Sequence, residues 1–297
     1  MQIDILWIIL SFLAAIVSAG IYLVNQYFKL PGHTLVFWMR LFILIGFLPF
    51  LNYINWPDNI NFYIAVAVTG ILASLGDIRL YNITAVYGAG VTARLQPLML
   101  WVAFFVWFIF DPQLLFEYFE HPYKSSGILL SLFGCVYFAA HLKKCPISKA
   151  VFFKISPAVA GYGLNMALAK YAFDNSSLHS GVFAYIIVQT IIAIPVSGFF
   201  LWQAQPSKDQ ENTPKPPLKK ILIVSFILTF FWMAHMICKN YANSFAENPA
   251  YVAALILTAP VWISLAYKLV GHKEDANVVS GMGIVLCSIL LSILTLS

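Results

Sequence analysis

The chain has 297 residues, of which 61% are hydrophobic and only 10% charged. Soluble domains of this length carry about a quarter charged residues, so a water-soluble globule is excluded. The net charge of +5 does not point to nucleic acid, because lysines flanking membrane spans give the same balance. No basic stretch with interleaved aromatics is long enough to track a phosphate backbone. Cys135, Cys145, Cys238 and Cys287 stand singly, without CxxC or His/Cys spacing. They read as small buried hydrophobes, with no metal site and no disulfide framework expected.

A helix needs about 20 apolar residues to cross the hydrocarbon layer. Breaking the apolar runs at Pro, Gly and charge clusters predicts ten spans, at 4–27, 34–53, 60–86, 89–110, 125–142, 149–173, 179–203, 218–244, 249–270 and 277–296. The first begins "MQIDILWIILSFLAAIVSAGIYLV", which has no basic n-region and outruns a signal h-region, so it reads as a retained span. Two connections are long: "DPQLLFEYFEHPYKSS" after the fourth span, and "QPSKDQENTPKPPLKK", the polar loop at 204–219, after the seventh. The fold class expected is therefore an all-α polytopic membrane protein.

The third span ends "RLYNITAVYGAGVTARLQPLML" and the eighth ends "KNYANSFAENPAYVAALILTAPVWI". Arg79 and Tyr81 in the first stretch match Lys239 and Tyr241 in the second, and Pro97 and Pro260 follow at equivalent places one helix later. The fifth and tenth spans are both glycine-rich. These matches divide the chain into repeats at 1–145 and 146–297. Five helices per repeat is an odd number, so the second copy is inverted in the membrane, which predicts a central cavity between the halves.

On these features the chain resembles the drug/metabolite transporter superfamily in its ten-helix EamA-like form. The likeness is carried by "FWMRLFILIGFLPFL" with Arg40, by "NPAYVAALILTAPVWISLAYKLVGHKED" with Pro260 mid-span and Glu274 after it, and by the closing "VVSGMGIVLCSILL". The resemblance implies secondary-active transport by alternating access, in a multi-pass protein of the bacterial inner membrane. Members move amino acids, nucleotide sugars, cofactors or drugs, so it implies transport without naming the cargo. It implies no cofactor, and as partners only a small solute and membrane lipids, in a monomer or homodimer. Small multidrug members carry a glutamate in the first helix. Here that helix holds Ser11, Ser18, Asn25 and Gln26, with Asp4 at its start, which argues against cation export.

All three arginines, Arg40, Arg79 and Arg94, lie inside predicted spans, whereas lysine supplies the loops. At 1.5 Å per residue they sit roughly 9, 11 and 8 Å from the same membrane face, so one layer of guanidiniums is expected. Charge at membrane depth faces a cavity or a partner. Asp77 neutralises one arginine, most simply Arg79 or Arg94, and pins the second, third and fourth spans. One carboxylate cannot neutralise three guanidiniums, and the surplus suits a carboxylate or phosphate ligand. An anionic or zwitterionic metabolite is the expected substrate. The alternatives are a lipid-headgroup flippase, or an exporter of cationic or neutral drugs in which the arginines are purely structural.

Other candidates fill out the site. His235 is read as a proton relay or a packed side chain, and Lys239, one turn on, as a site residue or one snorkelling to the surface. Gln96 and Asn165 are polar groups at membrane depth. Tyr81, Tyr87, Trp101, Tyr162, Trp232 and Tyr251 are candidates to clamp the apolar part of a substrate. Pro97 and Pro260 interrupt their helices and free backbone groups beside the cavity. No HExxH, GxSxG or paired catalytic carboxylates occur in the spans, so no enzyme is expected. The lysines cluster in the odd-numbered loops, which places both termini outside by the positive-inside rule, whereas the family commonly has them inside.

Overall fold

A computed structural model describes residues 2–89, 92, 96–142, 149–176, 178–204, 216–271 and 277–296. Among these residues every regular element is a helix. In chain order they are α1 (Gln2–Phe28), α2 (Gly32–Phe47, prolonged as a 3-10 helix over Leu48–Tyr53), α3 (Ile60–Tyr87), α4 (Pro97–Phe110), α5 (Pro112–Glu120) and α6 (Pro122–Ala140). They continue as α7 (Lys149–Asp174), α8 (Leu178–Gln203), α9 (Leu218–Phe245), α10 (Pro249–Ile256), α11 (Ala259–Leu269) and α12 (Val278–Leu296). Among the described residues eight helices are long and apolar enough to cross a membrane, with α10 and α11 together making one of them. The chain is thus a multi-pass membrane protein.

The ends of these helices follow from local chemistry. Asn248 caps α10 by accepting from the Ala250 N–H, with Pro249 in the first helical position where no backbone donor is needed. Asn59 caps α3 in the same way through the Asn61 N–H. Gly88 closes α3 at φ 88°, in the left-handed region that glycine enters without steric cost. The ninth predicted span is broken at Leu257–Thr258. Proline has no N–H to continue the ladder, and Pro260 stands in the first turn of α11.

One expectation needs correction, and one expected span needs explanation. The connection after α4 is not a plain loop: Asp111 accepts from the Leu114 N–H and starts α5, which is bent 104° from α4. Leu114 is buried in a cluster with Trp107 and Ala167, while Phe116 and Phe119 are exposed. Nor does α7 have the apolar character of a simple span. It is 26 residues long but carries Lys154, Asn165 and Lys170, and it is not one of the eight. Its packing explains the polarity: α7 is covered by α3 and α4 and meets α9 and α10, so much of its surface never faces lipid.

The most extensive packing pairs are α1 with α9 and α3 with α7. Next come α6 with α12, α3 with α8, α4 with α7, α2 with both α8 and α9, and α1 with α10 and α11. Lipid tails are as apolar as leucine, so helices associate through close van der Waals fit. Two large clusters result. One joins parts of α1, α4, α6, α7 and α10, and the other joins parts of α1, α2, α3, α8 and α9.

The two ends of the bundle differ in charge. At one end the Gln26 side chain accepts from the Ala89 N–H at 2.7 Å and from the Tyr267 hydroxyl, and Lys220 lies over the Phe28 ring. Lys29 follows α1 there, and Lys268 lies in the last turn of α11. At the other end Asn59 bonds Asn175, Asp58 and Asp174 line one surface hollow, Lys170 pairs with Asp174, and Glu247 lies within electrostatic reach of Lys124, Glu117, Lys170 and Asp111.

The α4–α7 contact gives a direct test. A Cβ on Gly163 would lie 2.5 Å from the Met99 carbonyl oxygen and 2.6 Å from Val102 Cβ. Because one obstacle is backbone, Gly163→Ala is expected to destabilise the fold by about 1–3 kcal/mol. Gly46→Ala, with nothing within 4 Å of the new methyl, is expected to be neutral. Thermal unfolding of the two variants in detergent separates them, and equal melting would refute this packing.

Candidate functional site

A cavity of about 100 Å³ lies at the seam of the two clusters. Met99, Met166 and Ile256 line it from one cluster, and Ile21, Tyr81, Trp232 and Met236 from the other. Its polar lining converges from six of the helices.

Arg40 on α2 is fully buried. Its Nη2 donates to Asp77 Oδ2 on α3 at 2.7 Å, as a buried ion pair. The second carboxylate oxygen accepts from the Tyr162 hydroxyl of α7 at 2.6 Å. The guanidinium carbon lies over the Trp232 ring of α9, 4.0 Å from its centroid, a desolvated cation–π contact worth about 2 kcal/mol. Four helices from both halves of the chain meet at this one group. Arg40 nevertheless keeps Nε and Nη1 buried without a hydrogen-bond partner. Asp77 has a partner on each oxygen, whereas the guanidinium is only partly satisfied.

Lys239 and His235 line the same cavity from α9. Lys239 is buried, and its ammonium makes no hydrogen bond or ion pair among the described residues. His235 Nδ1 lies 2.9 Å from the Ala14 carbonyl oxygen. A carbonyl only accepts, so Nδ1 carries a proton, and in the neutral form of the ring Nε2 is then an acceptor. Two cations, Arg40 and Lys239, thus share a single carboxylate among the described lining residues.

Uncharged polar groups complete the wall. Gln96 donates to the Tyr22 hydroxyl, and its Oε1 has no partner. Asn165 donates to the Thr69 carbonyl at 3.1 Å and accepts from the Tyr185 hydroxyl at 3.2 Å. Gln189 donates to that hydroxyl at 3.0 Å and leaves Oε1 without a partner. Tyr81 directs its hydroxyl to the Met39 sulfur at 3.7 Å.

The structure brings together Arg40, Asp77, Tyr81, Gln96, Tyr162, Asn165, His235 and Lys239. It does not bring Arg79 to them. Arg79 is exposed and lines a separate crevice on the outer face of α3, so Arg40 and Arg79 do not share one site. Equal depth says nothing of direction, and residues two apart on a helix do not share a face. Asp77 pairs with Arg40 rather than with Arg79. Arg94 lies outside the described residues.

Three aromatic expectations are also corrected. Trp101 packs outside the cavity against Phe104, Phe105 and Phe133. Tyr251 is buried against Trp7, and its hydroxyl is bonded to Tyr118 of α5. Tyr87 is exposed at the end of α3. Pro97 starts α4 immediately after the cavity residue Gln96, and Pro260 follows the α10–α11 break, with Ile256 on the cavity wall. Sequence reasoning missed Tyr22 and Gln189. The amide of Gln189, in the greasy "YIIVQTIIAIPV", was the one signal available for either.

Breaking the central pair should be costly. Asp77→Asn leaves a buried guanidinium uncompensated and is expected to destabilise by about 3–5 kcal/mol. Tyr162→Phe removes one bond to a charged group and is expected to cost about 1.5–3 kcal/mol. Replacing both charges together, Arg40→Met with Asp77→Leu, should recover much of the loss. Thermal unfolding in detergent ranks the variants, and Asp77→Asn melting with the parent chain would remove the pair from the account.

No model of a known protein family matches the chain, and no curated protein matches it significantly.

Proposed function

We propose that this chain is a secondary-active transporter of a small anionic or zwitterionic solute, working by alternating access around the central cavity. The observation that carries the proposal is the charge of that cavity. Arg40, with two N–H groups that have no partner, lines it together with Lys239, against one carboxylate that already has a partner on each oxygen. A carboxylate or phosphate on a solute supplies the missing acceptors, and Arg matches its planar geometry. The aromatic faces of Tyr22, Tyr81, Tyr162 and Trp232 offer contact to the apolar part of the same solute. His235, with one ring nitrogen anchored to α1, is a candidate for proton coupling.

The proposal includes ten crossings in two inverted repeats, as in the EamA-like form of the drug/metabolite transporter superfamily. On this reading α4 and the residues before it make the fourth crossing, and α7 makes the sixth. The helix packing supports it. Advancing each crossing by five exchanges the α1–α9 pair with the α7–α3 pair, and the α4–α7 pair with the packing of α10 and α11 on α1. The α2–α8 and α6–α12 pairs map onto themselves. Such exchange is what a pseudo-two-fold axis through the cavity requires. The setting proposed is the bacterial inner membrane, with the lysine-rich end cytoplasmic and both termini outside. In this reading the protein is a carrier and not an enzyme.

Lys239 gives the cleanest test, because it lines the cavity without joining the Arg40–Asp77 pair. A thermal-stabilisation screen of the purified protein should find an anionic or zwitterionic compound that raises the melting temperature. Lys239→Gln is expected to weaken that compound about 10- to 100-fold, the worth of one charge-assisted hydrogen bond. The same compound should exchange across proteoliposome membranes in counterflow. Stabilisation by cations alone, equal in both proteins, would overturn the proposal.

A further inference from the structure

Arg79 and Lys154 are charged groups that the central cavity does not use. They line one crevice of about 520 Å³ between the last turns of α3 and the first turns of α7. Both are exposed, and neither has a hydrogen bond or ion pair among the described residues. Asn82 lines the crevice too. Its Oδ1 already accepts from the Gly32 N–H at 2.7 Å, so the amide NH2 is its available end. The described lining therefore offers a guanidinium, an ammonium and an amide donor, and no carboxylate. Around these donors the wall is apolar, with Val86, Phe153 and Pro157. A set of donors without an acceptor, beside apolar surface at the edge of a membrane span, matches a ligand with an anionic head and a hydrocarbon tail.

We propose that this crevice binds the phosphate of an anionic phospholipid. Arg79 presents its planar fork to two phosphate oxygens, Lys154 adds a point charge from the neighbouring helix, and Asn82 donates one further bond. Acyl chains lie along the apolar outer faces of α3 and α7, where Leu75 and Phe152 are also exposed. Arg79 stands two turns inside α3, and its long side chain reaches from there toward headgroup level. The location fits the same occupant. The crevice opens at the end of the bundle that carries Lys29, Lys220 and Lys268, and basic pockets between membrane helices on the cytoplasmic side bind anionic headgroups. A free anion would satisfy the donors but not the apolar wall. The site is distinct from the central cavity and does not depend on transport.

The test compares phosphatidylglycerol with phosphatidylcholine of the same acyl chains, added to the full-length protein in neutral detergent. Native mass spectrometry reads the bound lipid, and thermal unfolding reads stabilisation. The parent chain should retain phosphatidylglycerol preferentially and be stabilised by it. Arg79→Gln and Lys154→Gln should each weaken that preference about fivefold, the worth of one basic side chain at an anionic surface. Lys219→Gln with Lys220→Gln, two exposed lysines at the same end, should leave it unchanged. No preference in the parent chain overturns the proposal, whatever the variants do. Equal loss in the Lys219/Lys220 variant reduces it to general surface charge and overturns it as well. Equal stabilisation by inorganic phosphate makes the crevice a free-anion site, and the lipid assignment falls.

Discussion

The buried ion pair between Arg40 and Asp77 is the constraint on which the rest of the structure depends. A guanidinium inside a membrane bundle has no water to turn to, so protein groups must surround it. Here the carboxylate comes from α3, the hydroxyl that steadies that carboxylate from α7, and the aromatic face from α9. Each partner belongs to a different helix, which means that satisfying one charge fixes the relative placement of four helices. The same convergence leaves a gap at the seam, because long polar side chains meeting at a point cannot fill space as interdigitated leucines do.

Polar groups are placed throughout as the bilayer requires. Several turn inward and bond across helices: Asn165 to α3, Asn243 to the Met166 carbonyl of α7, and His235 to α1. These bonds add directional links to a bundle otherwise held by close packing, as at Gly163 and at Gly134 beside Cys287. The helix α7 concentrates this logic. It presents Tyr162, Asn165 and Met166 to the cavity and Lys154 and Pro157 to the outer crevice. Its modest hydropathy is therefore a consequence of facing two polar environments.

α3 has the same double character within a single turn. Asp77 reaches the cavity and Arg79 reaches the outer crevice, although they are separated by one residue. A rotation of about 200° between positions two apart follows from 3.6 residues per turn. Depth counted from the helix ends gives Arg79 nearly the same height as Arg40, and height is what invites grouping Arg79 with the cavity residues. The helical period could have separated Asp77 from Arg79, but it could not say which of the two faced inward. That depended on Tyr162 arriving from α7 and Arg40 from α2.

The membrane class, the positions of most helices and the presence of charge at membrane depth were legible in the sequence. Each rests on local quantities: run length against bilayer thickness, an Asn followed by Pro at a helix start, or a proline inside an apolar run. Tertiary structure alone decided that Arg40, not Arg79, pairs with Asp77. It also decided that Trp101 and Tyr251 pack away from the cavity, that Tyr22 and Gln189 line it, and that the segment after α4 is a helix bent 104° from it. The physical reason is common to all of them. Chain length and hydropathy set how deep a residue lies, whereas its direction is set by the packing of helices distant in sequence, which composition and spacing do not encode.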